Sequence, residues 1–588
     1  MGLGRFGGGV DAAEFAYSTG AKVVVTDLAS AEQLHDSIEK LKQFQDIEFH
    51  LGSHDPSDFE QADIIIANPA VPPDNKFLEI ARRHKKIVTS QINIFFELCP
   101  APIIGITGAN GKSTTAALTA HLLKNTSIEH RASSIEIITV NDTTRAAALL
   151  SQASRGNPAS RLTNLAVTGT NGKTTVAYLV RSCIQKAGLK CGLIGTVIYD
   201  TCSGQTCQST LTTPDCLSIA EMTEKMVKNG AKYMVIEASS HALSQDRLAG
   251  VNFEAAAFTN LTGDHLDYHK TKEDYLAAKT KLFQSLSSDA TAVLNKQSPE
   301  AELIARRIWR KPRILWYAVN EQADITAHIE SMDMNGTVFS LEYVPRPGSG
   351  RAGQKQKVQT LLLGLHNVSN CLAAAGLCLA AGFDLKTMAA GLSDAQMVPG
   401  RLEKVEWGGD FSVIIDYAHT DDALKNVLST LKPLCKGKLR LVFGCGGDRD
   451  RTKRPRMARV AEELADFVIV TSDNPRTERP EAIIEEIITG FENDPPMRMM
   501  DDGRWTMDKQ RATSDERRAT KIIEPDRKKA IELAIKTARK NDIVLIAGKG
   551  HETYQIIGTK KFDFNDKKIA EEFLKGRAQT ENQAWTSK

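Results

Sequence analysis

No stretch of this chain reaches about 18 consecutive apolar residues, so no membrane-spanning helix is expected. An excess of one charge is missing too. Lys and Arg number 74 against 72 Asp and Glu, a formal net charge of +2. That balance gives no support to a broad nucleic-acid-binding or membrane-surface role. Clustered cysteines are also lacking. The ten cysteines are scattered singly, and Cys202 and Cys207, the closest two, lack zinc-knuckle spacing. All ten are expected to be free thiols in a reducing cytoplasm. The start, Met1-Gly-Leu-Gly-Arg-Phe6, has no charged segment followed by an apolar core, which argues against secretion. Phe6 also stands where N-myristoylation wants Ser or Thr. What remains is a chain of 588 residues, 41% apolar, with room for about three or four globular domains.

Two phosphate-binding loops lie close together in it. Gly108-Ala-Asn-Gly-Lys-Ser-Thr114 and Gly169-Thr-Asn-Gly-Lys-Thr-Thr175 each follow an apolar run and open a helix-like stretch. Small residues let backbone N–H groups approach phosphate oxygens, the lysine reaches the terminal phosphates, and the hydroxyl after it can bind Mg²⁺. Neither is a standard Walker A, because Ile106 and Val167 stand where its first glycine would be. From Lys112 to Lys173 is only 61 positions. A complete nucleotide-binding domain is usually larger, so one loop belongs to a working site and the other to something cut short.

The chain reads as α/β throughout. Gly2 to Gly7 is a GxGxxG turn, followed by a helix over Val10–Thr19 and a strand Lys22–Asp27, a dinucleotide-type pattern with Asp27 closing it. The strand that should precede the turn is replaced by the initial Met. Strands are predicted at Ala62–Ala67, Pro102–Thr107 and Ile135–Val140, and a helix over Asp142–Ala153. Asn157-Pro-Ala-Ser-Arg161 reads as a linker. Four segments follow from this: 1–100, a Rossmann-like domain; 101–162, a truncated first phosphate-loop segment and junction; 163–399, a central ATP-binding domain; and 400–588, a C-terminal α/β domain. In the last, Phe411–Asp416, Leu439–Phe443, Phe467–Thr471 and Asp542–Ala547 are the predicted strands. Residues 501–519 are charged and aperiodic, and read as a surface insertion.

Several motifs carry chemistry. Tyr233-Met-Val-Ile-Glu237 is an apolar strand ending in a carboxylate, which beside the second phosphate loop could hold Mg²⁺. Asn260 to His269 packs two His and two Asp into one loop after a strand. Lys279 sits on a predicted helix, where a lysine normally faces solvent. Asp416–Thr420, Gly444–Arg449, Asp473–Arg476 and Gly548–Glu552 each follow a strand, at the carboxyl edge where open α/β sheets bind ligands. Arg449 and Arg476 suit carboxylates, and Glu552 suits an ammonium. Together they suit an amino acid with an extra charged end.

These motifs, in this order, resemble the Mur ligases of peptidoglycan synthesis. Residues from about 133 to 580 resemble the type that adds 2,6-diaminopimelate to UDP-N-acetylmuramoyl-L-alanyl-D-glutamate. The resemblance adds Leu211-Thr-Thr-Pro214, Gly364 to Asn370 and Gly400-Arg-Leu-Glu403 to the motifs above. It implies a multi-domain Mur ligase architecture, a Rossmann-like domain, a central P-loop ATPase domain and a C-terminal Rossmann-like ligase domain. It implies ATP at Gly169, Thr170, Asn171, Gly172, Lys173, Thr174 and Thr175, with Asn370, Arg401, Asp416 and His419 around the nucleotide. Catalytic positions would be Lys173, Glu237, His265 and Lys279. Mg²⁺ would be held by Thr174, Glu237, His265 and Lys279, the last as a carbamate formed with CO₂, which turns a cation into an anionic ligand. The muramoyl-dipeptide would meet Thr212, Thr213, Ser239, Gln245 and Arg247. Diaminopimelate would meet Arg449, Asp473, Asn474, Pro475, Arg476, Gly548 and Glu552, with Arg476 pairing the carboxylate that distinguishes it from lysine. The reaction would run through an acyl phosphate and need domain closure. The partners are small molecules only, and a monomer in the cytoplasm is the expected state.

Residues 1 to about 124 instead resemble the first domain and ATP loop of the D-glutamate-adding Mur ligases, at Gly2–Gly7, Val23–Asp27, Asn68–Pro72 and Gly105–Thr115. The two partial resemblances point to a fusion with a junction near residues 124 to 134. Three readings stand open on the sequence. The chain is a diaminopimelate-adding ligase with an exchanged N-terminal domain, a related amide ligase of the folylpolyglutamate type, or an inactive fusion that binds ATP but not its UDP substrate.

Overall fold

The computed structural model describes residues 1–3, 8–44, 46–68, 71–72, 74–91, 94, 142–262, 269, 271–345, 353–492, 496–499, 505–506 and 519–586. The first phosphate loop, the predicted strands Pro102–Thr107 and Ile135–Val140, and His265 lie outside them. The chain divides into two compact units.

The smaller unit alternates short helices with strands β1 (Val24–Asp27), β2 (Glu48–Leu51), β3 (Ile64–Ile66) and β4 (Ile87–Thr89). β1 pairs β2 and β3 pairs β4, both parallel. Residues 1–3 join these pairs, because Gly2 N donates to Thr26 O at 2.9 Å and the Met1 amine to Ile66 O at 3.0 Å. In the first helix, Gly8–Ser18, Val10 and Ala13 are buried.

The larger unit contains two sheets. The first comprises β5 (Thr163–Thr168), β6 (Cys191–Ile194), β7 (Ile198–Asp200), β8 (Thr206–Gln208), β9 (Tyr233–Glu237), β10 (Ala255–Phe258), β11 (Thr291–Asn295), β12 (Arg313–Val319), β13 (Ile325–Asp333), β14 (Gly336–Tyr343) and β15 (Gln354–Thr360). Its order is β15-β14-β13-β12-β11-β10-β5-β9-β6-β7-β8, parallel from β13 through β6 and antiparallel at both ends. Short apolar runs make these central strands because both faces are covered by helices. Leu165 and Val167 face a core shared with helices Lys173–Lys186 and Leu365–Ala380; Ala166 faces the opposite core, with helices Cys216–Lys228 and Lys272–Gln284.

The second sheet comprises β16 (Glu403–Val405), β17 (Ser412–Asp416), β18 (Leu439–Phe443), β19 (Phe467–Val470), β20 (Met497–Met499), β21 (Trp505–Thr506), β22 (Thr520–Ile523) and β23 (Ile543–Ala547), in the order β16-β17-β23-β18-β19-β22-β20-β21. A hairpin of β24 (Tyr554–Ile557) and β25 (Lys560–Asp563) follows.

Three local expectations change. Asn157–Arg161 is no loose linker: Pro158–Arg161 is a 3₁₀ turn with Pro158 and Ala159 buried, and Asn164 Nδ2 donates to Ala159 O at 2.9 Å. Thr520–Ile523, unread in the sequence, is a sheet strand whose charged Lys521 is buried through its pair with Glu462. The interval read as a surface insertion contributes β21 to the sheet edge, and the rest of 501–518 lies outside the described residues. The helix expected over Asp142–Ala153 spans Thr143–Ala153, with Asp142 as its cap accepting from Thr144 N and Arg145 N. Nine cysteines are described, all free thiols.

Candidate active site

β5 ends at Thr168 and the chain turns through Gly169–Gly172 into the helix that starts at Lys173. Two of the glycines are required by space as well as by backbone. A Cβ on Gly169 would lie 1.9 Å from Thr259 Oγ1, and one on Gly172, at φ +89°, would lie 2.3 Å from Asn370 Oδ1. Asn370 thus closes against the loop, and its Nδ2 donates to Asn367 Oδ1 at 3.1 Å. Asn171 N donates to Asn260 Oδ1 at 2.9 Å, and Thr170 is buried with its Oγ1 accepting from Thr262 N at 2.9 Å. Lys173 Nζ donates to Gly169 O and Thr170 O, each at 2.9 Å. Exposed backbone N–H groups at such a helix start favour anions.

Behind the loop, β9 pairs directly with β5 and delivers Glu237 at its end, fully buried. Thr174 Oγ1 donates to Glu237 Oε2 at 2.9 Å; Thr196 Oγ1 donates to the same oxygen and Thr196 N to Oε1, both at 2.8 Å. A hydroxyl and a carboxylate at the end of a phosphate loop form a hard-oxygen donor set that fits Mg²⁺. Thr175 is buried one position on.

Lys279 overturns its ordinary expectation. On the helix Lys272–Gln284 it is 1% exposed, its Nζ donates to Gly169 O at 2.9 Å, and the ammonium sits 4.3 Å from the Tyr275 ring centroid. A lysine brought from 110 positions away to the phosphate loop is no solvated face residue.

Beside Glu237 lies the group read as contacting the muramoyl-dipeptide. Thr213 Oγ1 donates to Glu237 O at 2.6 Å and to Ser239 Oγ at 3.0 Å; Ser239 caps the next helical turn. Arg247 holds Gln245 Oε1 through Nε at 3.0 Å and Nη2 at 2.8 Å, and donates Nη1 to Thr213 O at 2.7 Å. Thr212 Oγ1 lies 3.1 Å from Thr196 Oγ1. The structure brings all five together.

The second sheet presents its loops at the same place. Asn171 Nδ2 donates to Asp422 Oδ2 at 3.0 Å, joining the phosphate loop to the segment after β17. Asp416 accepts from Leu402 N at 2.6 Å and Ala418 N at 2.7 Å; burial pushes its carboxyl above the ordinary range, and Arg401 opposes that. Arg401 stacks on Tyr417 at 4.6 Å, and His419 Nδ1 lies 2.8 Å from Tyr417 O.

The amino-acid loops cluster further along this edge. Arg476, at φ +52°, donates Nη1 to Gly447 O at 2.7 Å. Pro475 O is so close that a Cβ on Gly447 would lie 1.9 Å from it, and a Cβ on Gly548 would meet Asp473 Oδ2 at 2.5 Å. Asn474 Nδ2 donates to Glu552 Oε2 at 2.8 Å. The fully buried Lys549 reaches Asn474 Oδ1 and Glu552 Oε2, both at 3.1 Å. Burial raises the Glu552 carboxyl, and Lys549 counters it. Glu552 is therefore already engaged by a cation, where the sequence reading left it free for an ammonium. Arg449 is exposed, with Nη1 on Asp448 O at 3.1 Å.

Sequence reasoning missed Thr196, Tyr417, Lys549 and His551. Lys549 and His551 lie inside a motif that was read, yet their residue types alone gave no sign of their contacts. Thr196 had no signal at all. The His551 ring is half-buried 5.1 Å from Tyr417 and is pushed down to about 4 by burial, with Arg401 adding to the shift.

Comparison with known proteins fits this geometry. Residues 167–378 match the Mur ligase middle domain, and residues 400–550 match the Mur ligase, glutamate ligase domain. The UDP-N-acetylmuramoyl-L-alanyl-D-glutamate--2,6-diaminopimelate ligase of Geobacillus thermodenitrificans is 41% identical over 449 residues, 75% of this chain and 85% of that protein. The enzyme of the same name from Thermosynechococcus vestitus is 42% identical over 443 residues, 75% of this chain and 82% of that protein. A solved structure of a ligase with that name superposes with a TM-score of 0.51 at 32% identity, over 76% of this chain and 86% of the other.

Proposed function

We propose that this chain, which belongs to the Mur ligase family, is an ATP-dependent ligase that adds 2,6-diaminopimelate to UDP-N-acetylmuramoyl-L-alanyl-D-glutamate in peptidoglycan precursor synthesis. The observation that carries the reading is the convergence of the phosphate loop, the Thr174–Glu237 pair and the Asp473–Arg476 and Gly548–Glu552 loops within one unit of the chain.

Mur ligases use ATP and Mg²⁺. Here Thr174 and Glu237, with His265 and a carbamylated Lys279, would hold the metal, which when bound neutralises phosphate charge and polarises the γ-phosphoryl group. Lys173 and the N–H groups of Gly169 to Thr175 orient the triphosphate and stabilise the charge that develops on it. Thr212, Thr213, Ser239, Gln245 and Arg247 position the D-glutamate end of the UDP substrate. Its carboxylate oxygen attacks the γ-phosphorus, the bond to the β–γ bridging oxygen breaks, and ADP leaves. The amine of diaminopimelate then attacks the acyl carbon, inorganic phosphate departs, and the amine loses its proton as the amide forms. Asn370, Arg401, Asp416 and His419 border the nucleotide. Arg449, Asp473, Asn474, Pro475, Arg476, Gly548 and Glu552 hold the incoming amino acid, with Arg476 on its distal carboxylate.

The buried placement of Lys279 supports the carbamate reading, because a desolvated amine is kept from water and close to the phosphate loop. The smaller unit takes the role of a UDP-binding domain, as its alternating helices and parallel strands allow. The reading includes a monomer acting in the cytoplasm, where its nucleotide substrates occur. Among the described residues no helix is long and apolar enough to cross a membrane.

The test is ADP release with UDP-N-acetylmuramoyl-L-alanyl-D-glutamate and diaminopimelate, lysine or glutamate as acceptor. Turnover specific to diaminopimelate, shifted toward lysine by Arg476→Ala, is expected. ATP binding without any acceptor-dependent turnover would instead favour the inactive fusion.

A further inference from the structure

The stretch 451–459 carries the cations Arg451, Lys453, Arg454, Arg456 and Arg459, and a run of like charge is ordinarily a solvated face. Arg454 departs from that pattern, because its side chain is fully buried. Its guanidinium makes a bidentate pair with Glu478, Nη1 to Oε2 at 2.9 Å and Nη2 to Oε1 at 2.8 Å. Nη1 also reaches Glu486 Oε2 at 2.8 Å, and Nη2 reaches Gly446 O at 3.3 Å. Taking such a pair out of water is costly, and apolar residues of similar volume are often as stable. The best-attested use of a buried ion pair is to fix one arrangement of the chain.

The arrangement fixed here is the backbone that carries Arg476. Glu478 Oε1 accepts from Asp448 N at 2.6 Å. Asp448 answers across the same gap: its Oδ1 accepts from Thr477 Oγ1 at 2.7 Å and its Oδ2 from Thr477 N at 3.2 Å. Between these ties, Gly447 N donates to Asn474 O at 2.9 Å. The Arg476 guanidinium rests on this support. Its Nη1 donates to Gly447 O at 2.7 Å, and a Cβ on Gly446 would lie 2.9 Å from the same nitrogen. Arg476 and Asp448 both sit at φ +52°, a conformation that a residue other than glycine keeps only where its surroundings over-determine it. Arg476 N donates to Ile556 O at 3.1 Å and Gly558 N to Arg476 O at 2.7 Å, which fixes its backbone. Its side chain is aimed by Gly447 O, and Gly447 is held by the Glu478–Asp448 brace.

We infer that Glu478, held by Arg454, is a positioning residue for the choice of amino acid: it fixes the Gly446–Asp448 segment, and through it the Arg476 guanidinium that takes the distal carboxylate of diaminopimelate. This rests on the functional reading above, which places Arg476 on that carboxylate. Neither Glu478 nor Arg454 needs to touch the substrate for this role.

The experiment is ADP release by the full chain with diaminopimelate or lysine varied, at saturating ATP, Mg²⁺ and UDP-N-acetylmuramoyl-L-alanyl-D-glutamate. Glu478→Gln keeps the length of the side chain but offers Arg454 one acceptor oxygen in place of two. The KM for diaminopimelate should rise at least about tenfold, since small misplacements of a binding group cost that much. The values of kcat, of KM for ATP and of kcat/KM for lysine should stay within about twofold. In an Arg476→Ala chain the same substitution should add less than about twofold, because two residues that act through one contact are not additive. Asp448 is exposed, and Asp448→Gly suits its left-handed backbone while removing both acceptor oxygens. It should give the same loss confined to diaminopimelate, and it carries the test if Glu478→Gln fails to fold. Equal losses with diaminopimelate and lysine overturn the inference alone. So do additive losses in the double variant, or a folded Asp448→Gly chain with wild-type KM for diaminopimelate. A wild-type chain that turns over no acceptor, or that does not prefer diaminopimelate to lysine, overturns the functional reading and the inference with it.

Discussion

Glu237→Gln separates metal binding from folding. The carboxylate is fully buried, and its Oε1 accepts from Thr196 N while Oε2 accepts from the hydroxyls of Thr174 and Thr196. A glutamine fits the same volume. Its carbonyl can keep the Thr196 N–H, and its amide N–H groups can donate to the two hydroxyls, which rotate to accept. The fold should therefore lose no more than about 1 kcal/mol, the net worth of one neutral hydrogen bond. Metal affinity should respond far more. Two unit charges about 4 Å apart interact by ~4 kcal/mol at an effective dielectric of ~20, and a divalent ion doubles that before phosphate and water take their share. A net loss of about 3 kcal/mol is a conservative figure, or ~10²-fold in Mg²⁺ affinity. The assay is a Mg²⁺ titration of ADP release, beside a urea melt of the same preparation. Glu237→Ala is the contrast, because it strands a buried Thr196 N–H and should cost about 1–3 kcal/mol of stability as well. A Glu237→Gln chain with wild-type Mg²⁺ dependence would refute the assignment of this carboxylate to the metal.

Three further outcomes are expected. Lys173→Ala should lower kcat by roughly 10²-fold or more through lost charge stabilisation, while Lys112→Ala leaves it within about twofold; equal losses in ADP release would reverse the ranking of the two phosphate loops. Arg527 and Asp566 form a fully buried bidentate pair, Nε to Oδ1 at 2.9 Å and Nη2 to Oδ2 at 2.7 Å. Asp566→Ala leaves that guanidinium unpaired and should destabilise by about 3–5 kcal/mol in urea unfolding. Glu478 is held down to about 2, chiefly by its hydrogen bond from Arg454. A depressed carboxyl stabilises above its ordinary value of 4.5 and loses that contribution as pH falls toward about 2. Acid unfolding of Glu478→Gln should therefore show a shallower slope than wild type across that interval, and identical slopes would dismiss the pair as a source of stability.

What could be read in the sequence was what is local to it. The apolar run Tyr233–Ile236 with an acid at its end forms β9, with Glu237 as its last residue, because a parallel strand needs only a short run buried on both faces. The same holds for Leu439–Phe443. Glycine spacing at Gly169 and Gly172 marked a turn whose φ angles and close approaches to Thr259 and Asn370 require those residues. Thr520–Ile523 escaped because Lys521 breaks its apolar pattern, and only a distant Glu462 makes that lysine affordable inside a sheet. Thr196 escaped, and Lys279 carried no signal apart from the resemblance, for a related reason. Their environments are made by residues 110 and 41 positions away, and no local period encodes such meetings. Family resemblance could place Lys279 at the phosphate loop only because it carries long-range geometry already selected in other chains. It could not do so for the hydrogen bond of Asn171 to Asp422, which crosses from one sheet to the other. Contacts of that kind exist only once both sheets are folded and packed, which makes them the part of a two-sheet site that sequence reading reaches last and substitution tests most sharply.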